Sequence, residues 1–190
     1  MTTTTMTTER AKPPLARRGL FLVVAALVVA ADVATKHIAA TVWTDQPVTL
    51  LDGWVRLTES RNPGAAFGMG TSLTPVLTLL AAAVVIGVLA YSGRYRTRRA
   101  ALVMGLVLGG AAGNLIDRLF RTPGPMRGHV VDWIDIGAWP NFNLADSALV
   151  TACALVFAAS VLTQPDTNTE SPGPNITRPQ TRGSKRVREE

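Results

Sequence analysis

The chain has 190 residues, of which 47% are hydrophobic, and carries a formal net charge of +6 from 19 Lys and Arg against 13 Asp and Glu. Its apolar residues are gathered into long runs instead of recurring at the spacing of one amphipathic core, which excludes an ordinary water-soluble domain. The basic excess is divided among the chain ends and one central loop and forms no folded basic surface, so nucleic-acid binding is excluded too, and a single cysteine, Cys153, excludes an internal disulfide.

Residues 1–18 are Thr-rich and then basic, and are expected to be a disordered tail. Four apolar runs follow, at 19–42, 72–91, 100–116 and 144–163. Crossing the hydrocarbon takes about 20 predominantly apolar residues, and about 17 at the least. The runs therefore predict an all-α membrane protein of four transmembrane helices, a single unit over 19–163. The first run is too long for a signal-peptide core and has no small-residue cleavage site after it, so it is read as a retained span. Near its end it carries Asp32 and Lys36, whose i,i+4 spacing allows an ion pair.

Between the first two runs, Val48 and Leu50 precede Asp52-Gly53, and Val55 and Leu57 follow it. Two short alternating segments around a favoured turn predict a small β-hairpin. A hairpin beside the membrane could hold an extended peptide or serve as a structural flap. Downstream, Asn62-Pro-Gly-Ala-Ala-Phe67-Gly68 reads as a tight re-entry toward the second span, with the Asn62 amide available to hydrogen-bond backbone.

The third run places Gly105, Gly109 and Gly113 on one helical face, a strip that lets a neighbouring helix approach closely. Asn114, Asp117 and Arg118 come just after it and gather an amide, a carboxylate and a guanidinium at that helix end. A Trp- and Asn-rich connection then carries Asp132 and Asp135, and leads through Asn143 to Asp146 at the start of the last run. Residues 164–190 are rich in Pro, Thr, Asn and Arg, and are expected to be a second disordered tail. Neither His nor Cys residues cluster, so no metal or other cofactor is expected.

In a four-span arrangement, thirteen of the 19 basic residues fall on one side together with both chain ends. That side should be cytoplasmic. All four tryptophans, Trp43, Trp54, Trp133 and Trp139, fall on the other, as an interfacial aromatic belt requires. Each of four separated segments brings polar groups to that outer level: Asp32 with Lys36, Asn62, Asn114 with Asp117 and Arg118, and Asp132 with Asn143 and Asp146. Charges at membrane depth are expensive and are usually kept for a pathway, a relay or a reaction. Asp146 with either Asp132 or Asp135 could form a carboxylate pair that shares a proton and titrates as a unit, one activating water while the other donates to a scissile carbonyl.

The segments Asp32-Val-Ala-Thr-Lys36, Asn62-Pro-Gly-Ala-Ala-Phe67, Gly109-Gly-Ala-Ala-Gly-Asn114-Leu-Ile-Asp117-Arg118, Val130-Val-Asp132-Trp-Ile-Asp135 and Phe142-Asn-Leu-Ala-Asp146 resemble, in order, the motifs of signal peptidase II, the bacterial lipoprotein signal peptidase. The resemblance implies that Asp132 and Asp146 are the catalytic pair of an intramembrane aspartyl endopeptidase, with Asp32, Lys36, Asn62, Asn114, Arg118 and Asn143 around them. It implies removal of the signal peptide from prolipoproteins by cleavage before a diacylglyceryl-modified cysteine, in the bacterial cytoplasmic membrane among its lipids. It also implies inhibition by the cyclic peptide globomycin. The connection from Asp132 to Asp146 is short for the family. Two other classes remain to be discriminated. An ion-coupled transporter should show repeats or broken helices at the midplane, and a non-enzymatic scaffold should tolerate Asp132→Asn.

Overall fold

The computed structural model describes residues 15–64 and 73–162. Most of both expected tails, and residues 65–72 with Phe67 of the Asn62 motif, lie outside the described residues. In chain order the elements are α1 (Leu15–Ile38), continued by a π-helical turn (Ala39–Trp43), β1 (Val48–Leu50), β2 (Val55–Asn62), α2 (Thr74–Tyr91), α3 (Arg98–Phe120), β3 (Val130–Asp135) and α4 (Leu144–Leu162). All four α-helices are long and apolar enough to cross a membrane, as the four runs predict.

Two helix boundaries differ from expectation. Helix α1 starts at Leu15, so Leu15–Arg18 is helical, and Arg17 Nη1 donates to the backbone carbonyl of Arg96, tying this first turn to the α2–α3 connection. Helix α3 runs on to Phe120, four residues past the apolar run, so Asn114, Asp117 and Arg118 lie on its last turns, at the helix end where they were expected to gather. Their polar groups turn inward while the helix keeps an apolar outer face at Phe120, so a hydropathy run ends before the helix does.

Burial is inverted relative to a soluble protein. Ile86 and Phe157 are 66% and 71% exposed, whereas Asp32 and Lys36 are fully buried. Lipid is as apolar as Leu, so outward side chains need no protein partner and helix association rests on close packing. The glycine strip supplies it. A Cβ added to Gly105 or Gly109 would sit 2.9 Å from Val24 Cβ or 2.6 Å from Val28 Cβ on α1. Gly113 fits between Asp32 and Ala145, and Gly110 opens a second close face toward α4, where a Cβ would lie 2.6 Å from the Ala145 carbonyl oxygen. The four-residue spacing revealed the first face but not the second.

The expected hairpin forms, with Val48 opposite Leu57 and Leu50 opposite Val55. Its connection is longer than a two-residue turn. Leu51, Asp52 and Gly53 all have positive φ, and Trp54 N–H closes the loop on the Leu51 carbonyl at 3.1 Å. A third strand was not expected. β3 lies antiparallel on β2, giving the order β1-β2-β3, with Ser60 opposite Asp132 and Asn62 opposite Val130. Asp132 is therefore on a strand and not in an irregular connection. Val130, Val131, Trp133 and Ile134 suit a half-buried pleated surface, but the partner strand is some 70 residues upstream and no local pattern reveals the pairing. A bridge between Ile134 and Phe142 draws the chain back toward α4.

Candidate active site

The polar groups that sequence reasoning gathered at one level meet at one end of the bundle, beneath the sheet. Lys36 is their centre. Its ammonium has three donors, directed at Asp32 Oδ2 (2.7 Å), Asp117 Oδ2 (2.8 Å) and Asn114 Oδ1 (2.9 Å). Asp32 also accepts from the Ala145 amide at 2.9 Å, one of the donors left open at the start of α4. Asp117 is held further by Arg121 and by the Val131 amide at 3.3 Å. Buried charge is tolerated when it is paired and hydrogen-bonded, and here one cation joins α1 to α3 and, through Asp32, to α4.

Lys36 also orients an amide. Because an ammonium can only donate, Asn114 must turn its oxygen toward Lys36, which leaves Asn114 Nδ2 to donate to Asp146 Oδ1 at 2.8 Å. Asp146 occupies the third position of α4, and Asn143 caps that helix. Asn143 Oδ1 accepts from the Asp146 amide at 2.9 Å, and Asp146 Oδ2 accepts from the Asn143 amide at 3.2 Å. This is a reciprocal capping box. The spacing Asn143-x-x-Asp146 is legible in the sequence and would have fixed the helix start.

Asn143 continues to the second carboxylate. Its Nδ2 donates to Asp132 Oδ1 at 2.7 Å and to Asn114 Oδ1 at 3.2 Å. Asp132 Oδ2 accepts from Asn62 Nδ2 at 3.0 Å. The two carboxylates are thus joined through Asn143, not by a direct hydrogen bond, and each keeps one amide donor on either oxygen. Burial, and then the charge of Asp146, push the Asp132 carboxyl up to about 6. Asp135 is on the opposite face of β3 and accepts from Gly137 N–H at 3.0 Å at an exposed turn. The geometry therefore couples Asp132, not Asp135, to Asp146.

Asn62 is set in its turn by the Gly64 amide, which donates to Asn62 Oδ1 at 3.0 Å. Arg118 Nη2 donates to the Gly64 carbonyl at 2.8 Å, and Arg118 Nη1 is buried without a partner among the described residues. Trp133, beside Asp132 on β3, packs against Trp43 with ring centroids 5.2 Å apart. All eight residues that the resemblance implies for the site, and Asp117 with them, lie in this one assembly. Sequence reasoning missed Arg121, the Val131 amide and the bridging part of Asn143. Among the described residues, no group of three or more His, Cys, Asp or Glu could hold a metal ion. The four α-helices run unbroken across their length and the buried charges sit at one end, which does not favour the transporter reading.

A family model described as signal peptidase (SPase) II matches residues 24–162. The chain is 48% identical over 154 residues to a lipoprotein signal peptidase of Mycolicibacterium smegmatis, a match covering 80% of this chain and 66% of that protein, just under two thirds of its length. It is also 48% identical to one of Rhodococcus jostii (77% and 74%) and 45% identical to one of Mycobacterium avium (82% and 85%). Two solved bacterial membrane enzymes share the fold. One has a TM-score of 0.70 at 25% identity over 84% of this chain and 96% of its own, and the other 0.67 at 26% over 80% and 97%.

Proposed function

The chain belongs to the signal peptidase II family, whose members remove signal peptides from prolipoproteins, and on that premise we propose that Asp132 and Asp146 are its catalytic pair. As a member it is a peptidase of aspartyl type and a multi-pass protein of the bacterial inner membrane. The observation that carries the assignment is Asn143, whose side chain and backbone fix one carboxylate from β3 and one from α4 in a single hydrogen-bonded unit.

In the proposed reaction, Asp132 holds the proton and Asp146 is ionised. Asp146 takes a proton from a water molecule as its oxygen attacks the scissile carbonyl carbon, and Asp132 donates its proton to the carbonyl oxygen. The tetrahedral gem-diol then collapses: Asp146 gives its proton to the departing amine as the carbon–nitrogen bond breaks, and one diol hydroxyl returns its proton to Asp132, which leaves the carboxylic acid product and restores the starting pair. Asn62, Asn114 and Asn143 hold the oxygens in place. Arg118 fixes the Gly64 turn, and the ion pairs of Lys36 with Asp32 and Asp117 keep the Asn114 amide from rotating. The substrate proposed for this site is a prolipoprotein carrying a diacylglyceryl-cysteine, cut just before that residue. Globomycin is expected to compete for the same site. The excess of Arg and Lys at the opposite end of the bundle supports cytoplasmic termini and an outward-facing site.

The test is a gel-shift assay of purified protein on a diacylglyceryl-modified prolipoprotein, comparing the wild type with Asp132→Asn and Asp146→Asn at equal folded amounts. Each variant should lose at least roughly a thousandfold in kcat, the scale seen when a general acid or base is removed. Undiminished cleavage by either would move the chemistry to other residues, and no cleavage even by the wild type would return the scaffold and transporter readings.

A further inference from the structure

At the opposite end of the bundle from the carboxylates, a crevice opens between the start of α3, the end of α4 and the connection from Gly93 to Thr97. Its mouth carries Arg17, Arg94, Arg96 and Arg99, and among the described residues no acidic one lines it. Its walls are apolar, with Leu102 and Val103 from α3 facing Leu155, Val156 and Leu162 from α4. From Leu155 to Leu162 the wall extends for about 10 Å along the helix axis at about 1.5 Å per residue. The opening is also at the N-terminus of α3, where Thr97 caps the Ala100 amide and the helix dipole favours an anion.

Tyr95 is a second and independent indication. It lines the crevice and is 4% exposed, with its ring packed on Phe21 at 5.6 Å between centroids. Its hydroxyl is buried and has no hydrogen-bond partner among the described residues. A buried phenol without an acceptor is costly, and a phosphate oxygen would satisfy it. The connection is held in place for this by Arg17, which donates to the Arg96 carbonyl.

We propose that this crevice is a binding site for one anionic phospholipid of the leaflet at the basic end of the bundle. The headgroup phosphate is held by the arginines and Tyr95, and an acyl chain lies between Leu102 and Val156. Charge complementarity selects this occupant. The chain's own segment beyond Leu162 matches an arginine mouth less well, because its four acidic side chains are balanced by five basic ones and it brings no net anionic charge.

Native mass spectrometry of the full-length protein, released from detergent with either phosphatidylglycerol or phosphatidylcholine of matched chains, tests the site. The wild type should retain one phosphatidylglycerol and little phosphatidylcholine. A combined Arg94→Gln, Arg96→Gln, Arg99→Gln variant should retain phosphatidylglycerol at least roughly tenfold less well. Tyr95→Phe, which keeps the ring packing, should lose part of that retention while its thermal unfolding in detergent is unchanged. Equal retention of the two lipids would overturn the proposal by reducing the crevice to a nonspecific groove. Undiminished retention of phosphatidylglycerol by the triple variant would overturn it by placing the lipid elsewhere.

Discussion

Asp132 ties stability to pH in a direction opposite to that of a salt-bridged carboxylate. Burial and the neighbouring charge of Asp146 raise its pKa from 3.8 to about 6, so the folded state holds the proton more tightly than the unfolded chain does. The corresponding stability is complete below the unfolded value and is lost as pH rises through about 6. At about 1.4 kcal/mol per unit, the loss is about 3 kcal/mol. Asp132→Asn cannot titrate, so thermal unfolding in detergent followed across this window should show a steeper decline for the wild type than for the variant; parallel curves would contradict the raised value. In the proposed reaction the same proton is the one given to the substrate. If Asp132 acts as the acid, kcat/KM should fall on the alkaline side with an apparent pKa near 6 for the coupled pair. A second residue-scale prediction concerns Lys36. Lys36→Met leaves Asp32 buried without its cation, while Asp117 keeps Arg121, which should cost about 3–5 kcal/mol. Adding Asp32→Asn should recover part of the melting temperature but not cleavage, because the Asn114 amide would no longer be oriented by a cation.

Among the elements, α3 has the least freedom, since it is packed through glycine against α1 on one side and α4 on the other. Gly109→Ala should destabilise by about 1–3 kcal/mol, since its Cβ would overlap Val28. Gly87→Ala on α2, where nothing lies within 4 Å of the added methyl, should be neutral or slightly stabilising. Comparing their melting temperatures in detergent checks the contrast. The glycine strip, the four spans and the hairpin were legible because each is written in local spacing. Strand β3 was not, although Val130, Val131 and Ile134 have strand character, because the hydrogen-bond partner of Asp132's strand is distant in sequence and the carboxylates obscured the pattern. The bridging by Asn143 was half legible. Its spacing to Asp146 marks a helix cap, but only the return of the chain at Phe142 brings its side chain to Asp132.

For the molecule as a whole, the bundle puts the carboxylates at one end, where a lipid-anchored substrate cysteine would lie at the membrane surface. Each buried methylene of a diacylglyceryl group contributes roughly 0.8 kcal/mol, enough for the acyl chains to supply most of the substrate affinity. Cleavage of a lipidated precursor should therefore exceed that of the unlipidated form by at least roughly a hundredfold in kcat/KM, with wide tolerance of sequence after the cysteine. Equal rates would contradict this account of specificity. The π-helical turn at Ala39–Trp43 bears on the same geometry. An ordinary helix advances about 100° per residue, and a wider turn accommodates an extra residue, so the rod is out of phase with itself beyond Ile38. Below the slip, Asp32 and Lys36 face α3; above it, Trp43 faces Trp133 on the strand that carries Asp132. The first span thus behaves as two dials on one shaft, so the aromatic contact at its tip can be aligned to the site without turning the ion pairs beneath it.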